Sequence, residues 1–345
     1  ISHRADNQNL QYFAANIIPT GSSDQHNETT SNAVFTHLIY SINDRFKLTV
    51  GARNTWEKKV INQTGNSGFV ISENYDVQDQ NKWQQFSPKA SLGYQPNDRT
   101  LAYMSYSKGF KSGGYQGQAP TAIAAQTPFN EEIAINYELG IKQRFANNRS
   151  WFHLSYFESD YRDMQILELF QQPGQAIGVL ITQNAARAKS KGVELEADLS
   201  LTSNLTLKTS YSYLDAKFTE FYRDRQDSRK GNFLRNAPRH TAALQLSYYQ
   251  PLGPGAELNW RYRHQYQSKR YQEPANLEDA SIPAYDVGHF SVSYLPNNAD
   301  WYVSAWIDNC WNEKYFLHNF PIGEITNPAT PAPPRRIGAT FSFIF

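Results

Sequence analysis

The sequence predicts an all-β protein, a transmembrane antiparallel up-and-down β-barrel, on three observations. Apolar and polar side chains alternate with a period of two in one run after another. Short connections of turn-forming residues take turns with long polar ones along the whole chain. Of the 345 residues 14% are aromatic, with 22 Tyr and 20 Phe, and only 19% are charged. No stretch approaches the roughly 18 to 20 consecutive apolar residues of a membrane-crossing helix, so any crossing must be made by strands. Such aromatic and aliphatic content also excludes a disordered chain.

The strands declare themselves in chain order. Phe46, Leu48, Val50 and Ala52 are set against Lys47, Thr49 and Arg53, and Tyr137, Leu139 and Ile141 against Glu138, Lys142 and Arg144. Val193, Leu195, Ala197, Leu199 and Leu201 alternate with Glu194, Glu196, Asp198 and Ser200. Ala242, Leu244, Leu246 and Tyr248 alternate with Thr241, Gln245 and Ser247. Side chains at i and i+2 share a face, so each run is a strand with one oily and one wet face. Runs of this kind number about thirteen between Ser31 and Phe345, each long enough to cross a bilayer at a tilt. Residues 1–30 read as a long loop, with Leu10 to Ile18 as a possible additional strand.

The short connections are Asn43-Asp44-Arg45, Pro96-Asn97-Asp98, Ala146 to Arg149, Ser203-Asn204, Gly253-Pro254-Gly255 and Asn297 to Asp300. The long ones cover roughly residues 61–82, 111–131, 164–180, 219–236, 272–283 and 311–333. Tight turns at one end and long loops at the other are the asymmetry of an outer-membrane barrel.

Charge phase separates a membrane barrel from a soluble sandwich. Lumenal side chains tolerate charge and lipid-facing ones do not, so charges belong in one phase. Glu194, Glu196 and Asp198 share a phase, and so do Arg261 and Arg263, opposite Trp260, Tyr262, His264 and Tyr266. Tyrosines and tryptophans gather near strand ends, as at Tyr103 and Tyr106, Tyr211 and Tyr213, and Trp301 and Tyr302, where interfacial girdles sit.

Other chemistries find little footing. A single cysteine, Cys310, excludes an internal disulfide framework and a multi-cysteine metal site. The eight histidines form no H-E-x-x-H or Cys/His cluster, and the expectation is no resident metal or cofactor. A formal charge of +1 gives no global pull toward nucleic acid, and the basic-aromatic run from Arg261 to Tyr271 is explained by alternation between lumen and lipid. The glycines of KSGGYQG, residues 111–117, lack the strand-to-helix context of a phosphate loop. Asp286 with His289, or Ser291 with His289, is the nearest thing to a catalytic pair, at a spacing chance explains, and no enzyme is expected.

The segment from Ser87 to Tyr115, SPKASLGYQPNDRTLAYMSYSKGFKSGGY, resembles the strand-turn-strand-loop unit of TonB-dependent outer-membrane receptors. Seven further segments resemble the same family in order: NYELGIK at 136–142, YFESDYRDMQ at 156–165, NAARAKSKGVELEA at 184–197, YSYLDAKFTEF at 211–221, LRNAPRH at 234–240, DNCWNEKYF at 308–316 and PPRRIGATFSFIF at 333–345. The resemblance implies a Gram-negative outer-membrane location and a barrel of 22 strands around a plug. On that reading residues 1–345 form one partial domain, the C-terminal portion of the barrel with about 13 to 14 strands. No plug or TonB-contacting segment is recognisable before the first strand, and the chain starts at Ile1 with neither Met nor signal, as a truncated or mature part of a longer protein would.

The resemblance also implies partners. These are a scarce ligand, above all a ferric siderophore, the TonB complex through the N-terminal region, outer-membrane lipid and the barrel-assembly machinery. Phe341, Phe343 and Phe345 share one face of the last strand and resemble the terminal aromatic signal read during assembly. Chelates present catechol, hydroxamate or carboxylate oxygens, which cations and aromatic side chains suit. Six loop residues are accordingly the expected ligand set: Lys111, Tyr115, Arg223, Arg225, Tyr271 and Trp311. Haem, vitamin B12 and oligosaccharide are alternative ligands, and a passive porin-like channel is the alternative function.

Overall fold

The computed structural model describes residues 2–14, 18–68, 71–145, 149–170, 179–221, 229–297, 299–319 and 329–343. Its main body is one antiparallel sheet of 14 strands in chain order. The first nine are β1 (Ser2–Ala14), β2 (Ile18–Ser41), β3 (Phe46–Asn66), β4 (Tyr75–Asn97), β5 (Thr100–Lys111), β6 (Glu132–Arg144), β7 (Trp151–Phe170), β8 (Val179–Ser200) and β9 (Leu205–Phe221). A five-residue helix, α1 (Ala122–Gln126), interrupts the connection between β5 and β6. The sheet continues through β10 (His240–Pro251) and β11 (Ala256–Gln267). Two small hairpins stand outside it: β12 (Arg270–Tyr271) pairs with β13 (Ser281–Ile282), and β16 (Phe316–Asn319) with β17 (Ala329–Pro331). Between and after them β14 (Tyr285–Pro296), β15 (Trp301–Asp308) and β18 (Arg336–Phe343) complete the main sheet. Among the described residues β1 and β18 each have one neighbour only, so the sheet is an open arc.

The register carries one apolar face from β2 to β18. Directly opposed residues share a face. Leu38 faces Val50, Val50 faces Ala90, Ala90 faces Tyr106, and Tyr106 faces Tyr137. One step further toward the short turns, Leu139 faces Tyr156, then Val193, Tyr213 and His240 follow. On β10 to β18 the same face presents Leu246, Tyr262, Phe290, Ile307 and Ile337. Many of these stay exposed although large, such as Leu38 at 60% and Phe341 at 66%, because hydrocarbon rather than protein is their partner. On β3 the belt runs from Phe46 to Trp56, the roughly 9–11 residues a tilted strand needs. No helix among the described residues is long and apolar enough to cross a membrane.

Turn chemistry explains the short ends. Asn43 Oδ1 accepts hydrogen bonds from the backbone N–H of Arg45 and Phe46, both at 2.9 Å, turning β2 into β3. Thr202 Oγ1 does the same for Asn204 and Leu205 between β8 and β9. Gly253 adopts φ +80° before Pro254, a conformation costly for any side chain, and joins β10 to β11.

The long ends differ from the sequence expectation. Residues 2–14 and 18–30 are paired strands rather than a loop, and 61–66 and 75–82 continue β3 and β4 outward. Likewise β7 runs to Phe170 and β8 starts at Val179. Polar alternation such as Asn62-Gln63-Thr64 resembles loop in sequence because both faces there meet water or buried amides, so no oily phase marks the strand. Beyond the belt β3 adds about ten residues, roughly 30 Å of strand.

The lumenal face mixes polar side chains and glycines with a few rings. Glycines admit large neighbours there: a Cβ at Gly140 would enter the Tyr103 ring, and one at Gly192 would strike the Tyr213 carbonyl and the Phe157 ring.

Candidate functional site: the lumenal wall and outer rim

Two stretches of lumenal wall carry charge. On β5 to β8 the Tyr103 hydroxyl donates to Glu138 and lies 2.8 Å from His153 Nε2, while Lys142 Nζ sits 5.7 Å from the Tyr103 ring centre. Glu194 and Glu196 continue this wall on β8, opposite Ser155 and His153. On β11 to β18 one row reads Arg263, His289, Asp308, Arg336. Asp308 serves both His289 Nδ1 and Arg336, each at 3.1 Å. Arg261 and Arg263 make no ion pair among the described residues and border a cavity of about 440 Å³ with Tyr302 and Trp306. Guanidinium groups beside aromatic faces are an anion-recognising chemistry. A larger and more apolar groove, about 570 Å³ between Leu48, Leu92, Met104, Leu139 and Tyr156, lies on the hydrocarbon face and is a place for acyl chains, not cargo.

The outer rim is built by packing a loop on the lumenal side of the strand extensions. Residues 112–131 lie over β2 to β4, where Trp83 and Tyr115 meet edge to face at 6.3 Å above a fully buried Ile61. Beside them Ile71, Tyr75 and Val77 pack against Ala119 and Ala125. Lys59 donates to Gly113 O at 2.6 Å, and its ammonium also faces the Trp83 ring. The Tyr75 hydroxyl donates to Ala119 O at 2.8 Å, and burial keeps that phenol protonated above its usual range. Thr121 caps α1 by accepting from Ala124 N at 3.2 Å. The loop then reaches across to β8: Gln116 Nε2 donates to Thr182 O at 2.5 Å, and Thr182 N donates to Gln116 Oε1 at 2.8 Å.

A second cluster joins Ile166, Ala186, Ala188, Phe218 and Phe221 on β7 to β9, with Leu234 packed against it. A bulge between Tyr161 and Met164, with Asp163 at φ 51°, changes phase so that Ile166 turns to this cluster.

The six expected ligand residues fall in different settings. Lys111 ends β5 and is exposed, opposite Glu132. Tyr115 is buried at 7%, and its hydroxyl donates to Asp79 at 2.9 Å; burial first, then that carboxylate, raise its pKa. Tyr271 stacks on Phe233 at 6.2 Å and donates to Glu278. Trp311, 57% exposed, lies against Gly288 on the outward face. Arg223 and Arg225 lie outside the described residues, as does Phe345. No hydrogen bond or ring contact joins Lys111, Tyr115, Tyr271 and Trp311 to one another among the described residues. Lys59, Gln116 and Asp79 carry no signal of their role in the sequence, because the loop contacts they make span at least 36 positions. Arg261 and Arg263 were legible as lumenal from their phase.

A sheet with one hydrocarbon belt, one polar face and tight turns opposite long protruding ends defines the wall of an outer-membrane β-barrel. The chain belongs to the TonB dependent receptor-like β-barrel family, whose model matches residues 2–310. The pesticin receptor of Yersinia enterocolitica is 29% identical over 180 residues, covering 52% of this chain and 25% of the relative. The metal-pseudopaline receptor CntO of Pseudomonas aeruginosa is 24% identical over 311 residues, covering 88% of this chain and 40% of the relative. In structure, the ferric yersiniabactin uptake receptor FyuA from Yersinia pestis superposes with a TM-score of 0.83 at 22% identity, over 98% of this chain and 49% of that one. The chain thus spans about half the length of FyuA, and a smaller share of these sequence relatives.

Proposed function

We propose that this chain is part of the barrel of an outer-membrane receptor that takes up a metal chelate, in the first place a ferric siderophore, with energy delivered by TonB. The single observation carrying this reading is the wall of β11 to β18, where Arg261 and Arg263 line a lumenal cavity with Tyr302 and Trp306 and make no ion pair among the described residues, the carboxylate on that lining, Asp308, serving His289 and Arg336 instead. An anionic chelate passing the lumen supplies the missing negative charge. Receptors similar to this chain carry names of pesticin, pseudopaline with metal, and ferric yersiniabactin, which fits such a cargo.

The rim cations and aromatic residues Lys111, Tyr115, Arg223, Arg225, Tyr271 and Trp311 are the proposed first contacts, with Tyr115 acting through the loop it anchors. Plug, TonB contact and recognition of Phe341, Phe343 and Phe345 by the barrel-assembly machinery belong to the intact receptor in a Gram-negative outer membrane. On β18 Phe341 and Phe343 stand exposed on the apolar face, at 66% and 52%.

Ligand titration of the intact receptor by tryptophan quenching tests the proposal, using ferric chelates of catechol, hydroxamate and carboxylate type. Loss of about a hundredfold or more in affinity is expected for Arg261→Ala combined with Arg263→Ala, each guanidinium hydrogen bond to an anion contributing on the order of 1.5–3 kcal/mol net of solvent. Unchanged affinity in that variant and in all six rim substitutions overturns the assignment of the site. Uptake that persists without TonB favours a passive channel.

A further inference from the structure

We propose that Lys58 and Lys82 form a clamp for the phosphate of a phosphorylated lipid headgroup in the outer leaflet, on the outward face of β3 and β4. The inference rests on the membrane placement of the belt and is independent of the cargo.

The two lysines are directly opposed in the ladder, with Cβ atoms about 4.5–5.5 Å apart as in any such pair. Like charges so placed repel, and a bound anion removes that cost. Neither lysine makes an ion pair among the described residues. The nearest carboxylate on the same face, Glu28, stands opposite Val60, one step further from the bilayer. Thr30, opposite Lys58, adds a hydroxyl to the same row.

Depth argues for lipid as the source of the anion. One step toward the membrane lies Trp56, 43% exposed, and a step beyond Gln84 lies Phe86, 53% exposed. Exposed rings at the end of an apolar belt sit at headgroup level. Lysine stems lie along apolar surface and lift their ammonium into the layer where phosphates are found. The exit from the belt on β7 to β9 is built differently. There Lys189 is answered by Glu158 at 3.5 Å and Lys217 by Asp215 at 2.9 Å, which leaves no comparable call for an outside anion.

Native mass spectrometry of the intact receptor, incubated with bis-phosphorylated lipid A in detergent, tests the clamp. Lys58→Ala with Lys82→Ala is expected to lower lipid retention about twentyfold, each lysine near an anionic surface accounting for about four- to fivefold. Lys58→Arg with Lys82→Arg is expected to keep retention, and Lys189→Ala with Lys217→Ala to leave it within about twofold. Equal retention by the double alanine variant overturns the proposal. Equal retention of dephosphorylated lipid A, or displacement by equimolar inorganic phosphate, overturns the lipid phosphate as the occupant.

Discussion

The strands from β2 to β9 and those from β10 to β18 share one hydrocarbon belt but leave the membrane in different ways. In the first group most strands overshoot the belt, with lengths of 24, 21 and 23 residues for β2, β3 and β4 and 20 and 22 for β7 and β8. Their extensions are held by buried side chains on the lumenal side, around Ile61 and Trp83 and around Phe218. In the second group β10, β11 and β14 stop at 12 residues and β15 and β18 at 8. Their outer connections fold back as separate hairpins, such as β12 with β13, and lean on hydrogen bonds of Asn232, Asn276 and Asn309. A strand is prolonged only where a loop covers it and supplies apolar contact. Where Pro274, Pro283 and Pro333 break the ladder, the chain satisfies its backbone locally.

The largest effect is expected on the lumenal face of β8, in the first group. Gly192→Val drives a side chain into the Tyr213 carbonyl and the Phe157 ring, and the intact receptor is expected to lose its heat-modifiable folded form on unboiled gels. A folded band of normal intensity would remove close packing at this glycine from the account. Trp83→Ala comes next, at about 3–5 kcal/mol for a buried tryptophan, with the cost confined to the rim. Protease should then cut within 112–131 while the barrel core stays intact. Tyr315→Ala, which removes a stack on Tyr285 at 4.2 Å in the second group, should expose its own connection by a smaller margin.

Gln116→Ala sharpens the comparison at about 1–3 kcal/mol, since it unpairs the Thr182 amide and carbonyl together. Faster hydrogen exchange at Thr182, with no change on β14 to β18, is the expected result. The smallest effect belongs to Lys269→Met. Lys269 bonds both carboxylate oxygens of Glu278, at 2.8 and 2.9 Å, and holds that exposed carboxyl below its ordinary range. The substitution should raise the Glu278 pKa in an NMR titration and leave the melting temperature unmoved, because water screens the pair. In the parent, the small stability linked to this carboxylate is present above its unfolded value and is lost as pH falls through its lowered folded value.

Much of the belt is legible in the sequence. Val193, Leu195 and Ala197 declare an oily face by period alone, and Arg261 and Arg263 declare the other. Period fails in the extensions: Gln25 bonds the Gln116 carbonyl and lies within 3.4 Å of Gln63, so polar side chains there are core, and their sequence looks like loop. At the rim, residue type does not tell an exposed Lys111 from a Tyr115 locked onto Asp79.

Alternation along the chain determined which side chains meet lipid and which meet the lumen, because the pleat turns every second residue to the same side whatever its neighbours are. Tertiary structure alone decided how far β3 and β4 reach beyond the membrane, which loop covers them, and that Lys58 stands against Lys82. Those outcomes depend on contacts between residues tens of positions apart, and short-range pattern holds no record of them.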